Sequence, residues 1–256
     1  MSLDKTHCII EIDSNDRTKG EINDFEIILK HPVYLNRDRQ YFCRIENIRI
    51  PTSFYNIDSN YNTLQITEDP AGTPATFSVT VDEGNYTINE LLAELKTLLD
   101  AGTQKSNTYT LSIDDITGKC TISTDTTEFQ IIGANSLLNK PLGFVENTDY
   151  TSSSRTLTSI NHISMSTKRY IKINSDITSN NHYSKDFIEP IGVVVPITES
   201  RSTIQYYGNE NGYKVKMENK HSIKHISFNV RDGNNNKIDF NGINWNAELV
   251  LYEFRM

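Results

Sequence analysis

Apolar residues in this chain recur mainly at every second position, in short runs separated by polar turns. In DFEIIL, Phe25, Ile27 and Leu29 alternate as in a strand with one strongly buried face. In QYFCRIENIRIP, Tyr41, Cys43 and Ile45 keep one phase while Ile48 and Ile50 keep the other, so a β-bulge is expected near Glu46 and Asn47. Pro51 has no N–H for a ladder and ends that run. LQIT from Leu64, FSVTV from Phe77 and FQII from Phe129 are further strand candidates, and TYTLSIDDITGKCTIST predicts a hairpin turning at Asp114 to Gly118. The last third repeats the same grammar in YIKIN, IGVVVPI, YKVKM, ISFNV, KIDF and WNAELVLYEF. Ile226, Phe228 and Val230 share one side, and the loop at Asp232-Gly233 is expected to reverse the chain onto KIDF as a hairpin.

One segment breaks the period. In YTINELLAELKTLLDAG, Thr87 stands three residues before Glu90, the spacing of a capping box, and Ile88, Leu91, Leu92, Leu95, Leu98 and Leu99 form one helical stripe. Gly102 is placed to stop this helix. A shorter helix is expected around Ala134 to Lys140, capped by Asn135 and limited by Pro141.

The final strand is apolar on both sides, with Trp245, Ala247, Leu249 and Leu251 on one and Val250, Tyr252 and Phe254 on the other. Such a strand is central or covered, and the Phe25 to Leu29 strand is its expected neighbour. The chain is therefore read as mainly β. A sandwich of residues 1–60 and 166–256 encloses an inserted small α/β domain at 61–165.

Composition narrows the function. The net charge of −8 lacks the Lys and Arg clustering that phosphate neutralisation needs, so no direct nucleic-acid binding is expected. Neither a signal-peptide pattern nor a long apolar run is visible, so an aqueous, intracellular setting without a membrane span is expected. Cys8, Cys43 and Cys120 are odd in number and widely spaced, and read as free thiols rather than a disulfide framework or zinc ribbon.

No constellation suggests catalysis. There is no GxSxG, GxxxxGK[ST] or GxGxxG. His221 and His225 are four apart but lead into a strand, where that spacing separates them, and His162 and His182 lie in Asn- and Ser-rich stretches. Asp114 and Asp115 read as turn residues, and Asp13, Asn15 and Arg17 lack the later residues of a calcium loop. Asn85-Tyr86-Thr87 is a formal glycosylation sequon and reads as chance. Hence no catalytic, cofactor-binding or metal-ligating residue is assigned, no cofactor is expected, and the protein is read as non-enzymatic.

Several phrases carry a family resemblance. IDSNDRTKGEINDFEIIL, with Asp13, Ser14, Asp16 and Arg17, resembles the N-terminal segment of penton and minor capsid proteins of virophages and Polinton-like viruses. IRIPTSFYNID, EGNYTINELLAEL, LLNKPLGF and KIDFNGINWNAELVLYEF are similar to further segments of that family. The resemblance implies a single jelly roll, five copies of which close an icosahedral vertex of a double-stranded DNA virus or virophage beside a double-jelly-roll major capsid protein. It implies a virion component assembled in the host cytoplasm, with the insertion facing outward and no catalytic residues. The chain lacks a long basic N-terminal arm of the kind that faces a genome. Alternatives are another minor capsid or cement protein, or a jelly-roll attachment protein binding host glycans through Tyr150, Tyr183, Tyr206 and Tyr207.

Overall fold

The computed structural model describes residues 5–177, 181–183, 188–190, 192–199, 201–217 and 221–254. The chain opens with β1 (Lys5–Asp13), β2 (Lys19–Glu21), β3 (Asp24–Tyr34) and β4 (Gln40–Pro51). Next come β5 (Thr63–Glu68), β6 (Ala75–Thr80), α1 (Ile88–Gly102), β7 (Tyr109–Ile113), β8 (Lys119–Thr124), β9 (Phe129–Ile131), β10 (Tyr150–Thr151) and β11 (Thr156–His162). The last part holds β12 (Tyr170–Ser175), β13 (Asn181–Tyr183), β14 (Ile188–Pro190), β15 (Val193–Pro196), β16 (Ile204–Tyr207), β17 (Val215–Lys216), β18 (Ser222–Asp232) and β19 (Asn246–Phe254). Two compact units result, one from the chain up to Phe54 and from Lys168 onward, the other from Tyr55–Thr167.

Eight of the strands in the first unit form its framework, in chain order β1, β3, β4, β12, β15, β16, β18 and β19, with β2 added beside β3, β17 beside β4, and β13 paired with β14. Antiparallel pairing joins the first to the eighth, the second to the seventh, the third to the sixth and the fourth to the fifth. This nested pairing is one long hairpin rolled on itself, giving the sheets β1-β19-β4-β16 and β15-β12-β18-β3-β2. That topology is a jelly roll. The chain is mainly β, a single jelly-roll sandwich with an inserted α/β unit.

The two inner faces meet in one apolar core. Trp245, 1% exposed, packs against Phe25 at 5.6 Å and Phe228 at 6.1 Å between ring centroids, so residues from both sheets share an aromatic cluster. Its Nε1 donates to the Ile22 carbonyl at 2.9 Å, and its amide donates to Ser14 Oγ at 2.9 Å. The buried indole therefore leaves no donor unpaired.

The phase change in β4 is a bulge, as read from the sequence. The pairing with β19 skips a residue between Asn246 opposite Arg49 and Glu248 opposite Glu46, and Asn47 takes a positive φ of 47°. The expected neighbour of β19 is corrected. Its partners are β1 and β4, whereas Phe25 to Leu29 lies in the opposite sheet beside β18. Periodicity showed that both faces of β19 are covered without showing by what. KIDF forms only a single bridge, Lys237 to Arg231, because Asp232 accepts from the Asn234 and Asn236 amides and holds a loop there.

The second unit contains the sheets β10-β9-β5-β6 and β11-β8-β7 with α1. The capping box is formed: Thr87 Oγ1 accepts from the Glu90 amide at 3.3 Å, and Glu90 Oε2 accepts from the Thr87 amide at 2.7 Å. Leu91, Leu92, Leu95 and Leu99 are buried against Leu64, Ile66, Tyr109, Ile122 and Phe129 of the same core. Gly102 is the last helical residue rather than a left-handed cap, and a Cβ there would stand 2.8 Å from the Phe77 ring. The expected short helix is two 3₁₀ turns, Gly133–Asn135 and Leu137–Asn139. Asn135 does not cap them, since its side-chain amide donates to Gln65 Oε1 at 2.8 Å. At the ends of this unit Thr167 Oγ1 donates to the Asn56 carbonyl at 2.8 Å.

The loop after α1 is built on a fully buried carboxylate. Glu68 accepts from Thr103 Oγ1 at 2.6 Å, the Gln104 amide at 2.8 Å, the Lys105 amide at 3.0 Å, Asn107 Nδ2 at 2.6 Å and Tyr109 Oη at 3.0 Å. Burial by itself would raise this carboxyl, but the bonds from Thr103, Asn107, Gln104 and Tyr109 outweigh it and hold Glu68 below the usual carboxylate range. Because the folded value lies below the unfolded one, the stabilisation is complete above the unfolded value and is lost as pH falls through the folded value. Glu68→Gln is expected to cost about 3 kcal/mol through weakened charge-assisted bonds. Acid titration followed by hydrogen exchange should show residues 103–109 opening first in the parent protein, with that acid dependence flattened in the variant.

Candidate functional site

The best-defined polar cluster lies on the outer side of the sheet β1-β19-β4-β16. Arg44 of β4 stands opposite Val250 of β19, and Phe42 opposite Tyr252. Val250 and Tyr252 are buried although they lie outside the sandwich core, because the stretch from Tyr207 to Lys214 lies over this face. Asn209 Nδ2 donates to the Ile45 carbonyl at 3.0 Å, and Arg44 Nη1 donates to the Gly212 carbonyl at 3.1 Å. The Lys214 ammonium sits 3.9 Å from the centroid of the Tyr252 ring, and the Arg44 guanidinium 5.3 Å from it.

Beneath this strap, Arg44 Nε donates to Glu46 Oε1 at 2.7 Å and Nη2 donates to Tyr252 Oη at 2.8 Å, while Tyr252 Oη donates to Glu46. Burial pushes the Tyr252 hydroxyl up to about 12, with the Glu46 bond and charge adding to this and Arg44 opposing it. The tyrosine therefore stays neutral at ordinary pH, as a donor to the carboxylate. The arrangement neutralises buried charge and fixes a loop, with no nucleophile or substrate cavity at its centre. Above it, a surface cleft of about 410 Å³ is lined by Tyr207 to Gly212, and Tyr213 projects with 92% exposure.

Residues singled out from sequence mostly serve turns and strands. Asp13 Oδ1 accepts from the Asn15 amide at 2.7 Å and caps the 3₁₀ turn Ser14–Asp16, and Arg17 donates to the Ser14 carbonyl at 2.7 Å, so both side chains shape the turn that resembled a calcium loop. Asp114 Oδ1 takes the Ile116 and Thr117 amides and the Thr117 hydroxyl, while Asp115 is not brought to it as an acid pair. His225 Nδ1 lies 2.8 Å from Glu26 on the outer side of the other sheet, and His162 Nδ1 lies 2.9 Å from the Ile163 carbonyl. The His182 side chain lies outside the described residues. Among the described residues no three His, Cys, Asp or Glu side chains converge as metal ligands; Cys8, Cys43 and Cys120 form no disulfide with one another, and the Cys43 thiol lies 3.8 Å from the Ile177 carbonyl.

Three of the four tyrosines considered for glycan stacking have described side chains, each in its own setting. Tyr150 packs on Phe144 at 5.1 Å and accepts from the Val145 amide at 3.0 Å. Tyr206 and Tyr207 belong to β16 rather than to a loop; Tyr206 is exposed and Tyr207 packs on the core. The Tyr183 side chain lies outside the described residues. Sequence reasoning missed the Arg44, Glu46 and Tyr252 cluster, whose only signal was a charged pair inside an apolar strand run.

The topology defines a single jelly roll interrupted between β4 and β12 by an α/β unit. No family model and no curated protein matches the chain. Among solved structures, the crystal structure of the mavirus penton protein is similar, with a TM-score of 0.55 and 10% sequence identity over 97% of this chain and 100% of that chain. The fold is thus penton-like over essentially the whole length, insertion included.

Removing one member of the buried cluster should strand the others. Glu46→Ala is expected to destabilise the protein by about 3–5 kcal/mol, because Arg44 is left as an uncompensated buried charge. Tyr252→Phe should cost only about 1 kcal/mol, since it removes one hydroxyl and keeps the ring between its cations. Urea unfolding of both variants checks the ranking.

Proposed function

We propose that this protein is a structural capsid component, the penton subunit that closes five-fold vertices of an icosahedral double-stranded DNA virus or virophage. In this reading it assembles as a homopentamer, contacts a double-jelly-roll major capsid protein, and enters the virion after assembly in the host cytoplasm. The observation that carries the reading is the extent of the likeness to the mavirus penton protein. A jelly roll alone is shared with lectins and cupins, but a match over 97% of this chain must include the inserted unit.

The roll also has suitable edges. β1 and β16 are the opposite edges of one sheet, and each carries exposed apolar residues, Ile9 at 55% on β1, Ile204 at 52% and Tyr206 at 66% on β16. Rings are built from heterologous contacts, in which one edge of a subunit meets a different surface of the next. Open sheet edges with apolar side chains need cover in a soluble assembly. No catalytic role is assigned.

Size-exclusion chromatography with light scattering, followed by electron-microscopic class averages, tests the proposal. A five-fold ring is expected, alone or when mixed with the major capsid protein. Ile9→Asp and Tyr206→Asp should each reduce ring formation while leaving the thermal midpoint within about 2 °C of the parent, as exposed substitutions do. A protein that stays monomeric at high concentration and fails to enter particles overturns it.

A further inference from the structure

Asn-Gly occurs twice in the chain, at Asn211-Gly212 and Asn241-Gly242. In such a pair the glycine nitrogen can reach the asparagine Cγ and close a five-membered ring, because glycine has no Cβ to obstruct the approach. The structure gives the two pairs opposite settings. Asn241 has a φ of 50° and Gly242 a φ of 79°, and the Ile243 amide donates to the Phe240 carbonyl at 3.1 Å to close their turn. Asn241 Nδ2, the nitrogen that ring closure must expel, donates to the Ser53 carbonyl at 2.6 Å. Ser53 Oγ in turn donates at 2.6 Å to the carbonyl of Phe240, whose ring lies in the core. Opening this turn disturbs the roll itself.

The other pair lies in the strap over the outer side of β4 and β19. Asn211 is exposed, and its side chain makes no hydrogen bond among the described residues. The Gly212 amide donates to the Asn209 carbonyl at 2.9 Å, so ring closure waits on the opening of that turn. The turn is tied to the sheet through side chains rather than a strand ladder. Asn209 Nδ2 donates to the Ile45 carbonyl at 3.0 Å, and Arg44 Nη1 donates to the Gly212 carbonyl at 3.1 Å. A loop held in this way opens locally at a small fraction of the cost of global unfolding.

We propose that Asn211-Gly212 is a self-modification site, at which the cover of the Arg44, Glu46 and Tyr252 cluster is slowly converted to isoaspartate. The Gly212 nitrogen loses its proton to hydroxide and attacks Asn211 Cγ. The N–Cγ bond forms, the Cγ–Nδ2 bond breaks, and ammonia leaves with a proton taken from water. Water then opens the cyclic imide. Cleavage at Cγ leaves an ordinary aspartate, whereas cleavage at the Asn211 backbone carbonyl leaves isoaspartate, whose main chain runs through Cβ and Cγ. Water is the only co-reactant. The product adds a backbone carbon directly before Gly212 and replaces a neutral side chain with a carboxylate. It displaces the Gly212 carbonyl from Arg44 and shifts Lys214, two residues on, from its place over the Tyr252 ring. The outer face above the buried cluster therefore changes with the age of the molecule.

The full chain, aged for several weeks at mildly alkaline pH, tests this by peptide mapping with an isoaspartate-specific methyltransferase. Isoaspartate is expected at residue 211 at least about tenfold faster than at residue 241, with the two rates converging in urea, where neither turn is held. Hydrogen exchange of the amides from Asn209 to Lys214 should quicken as conversion proceeds. Asn211→Gln, whose longer side chain closes that ring poorly, should show neither the conversion nor the loss of protection over the same period. Conversion in the folded protein that is no faster at residue 211 than at residue 241 overturns the proposal. Conversion that leaves exchange in the strap unchanged, or protection lost equally in the glutamine variant, overturns it as well. Each readout concerns the strap alone and is independent of whether the chain forms vertices.

Discussion

The last strand, Asn246–Phe254, must be covered on two faces and paired along two edges, and the rest of the roll follows from that requirement. Its inner side chains, Leu249 and Leu251, belong to the sandwich core, and its outer ones, Val250 and Tyr252, are buried by the strap from Tyr207 to Lys214. Its edges belong to β1 and β4, strands from the start of the chain. Once the two ends of the chain are paired, the remaining strands fall into nested pairs, and each pair has its register fixed by which side chains must face inward. Contacts of this kind are almost all distant in sequence, so the roll gains little until much of the chain is present.

Local features were readable from the sequence, and long-range ones were not. The capping box of Thr87 and Glu90 and the bulge at Asn47 depend on residues a few positions apart, and period and spacing display them directly. The partners of β19 depend on which distant strand arrives. The pattern of WNAELVLYEF announces burial on both faces without naming β1 or β4. The Arg44 and Glu46 cluster was hidden for a related reason. On an alternating strand a charged residue is assigned to water, and only a loop arriving from Tyr207 onward converts that position into a buried one.

The acidic balance of the chain also acquires a structural explanation. Asp13, Asp58, Asp69, Asp114, Asp232 and Asp239 each accept a backbone N–H from a residue two to four positions further along. A sheet-rich fold with many reversals needs such acceptors at its corners, and short acidic side chains supply them. These six carboxylates shape loops, and Glu68 does the same from inside the second core.

The bond from Thr167 to the Asn56 carbonyl brings the beginning and end of the inserted unit together. From the side of the roll, the long excursion between β4 and β12 then has the closure entropy of a short connection, because its ends are already held by its own folded structure. The insertion behaves as a cassette. The strands of the roll pair with one another alone, so the register of the nested pairs is set without any strand of the insertion.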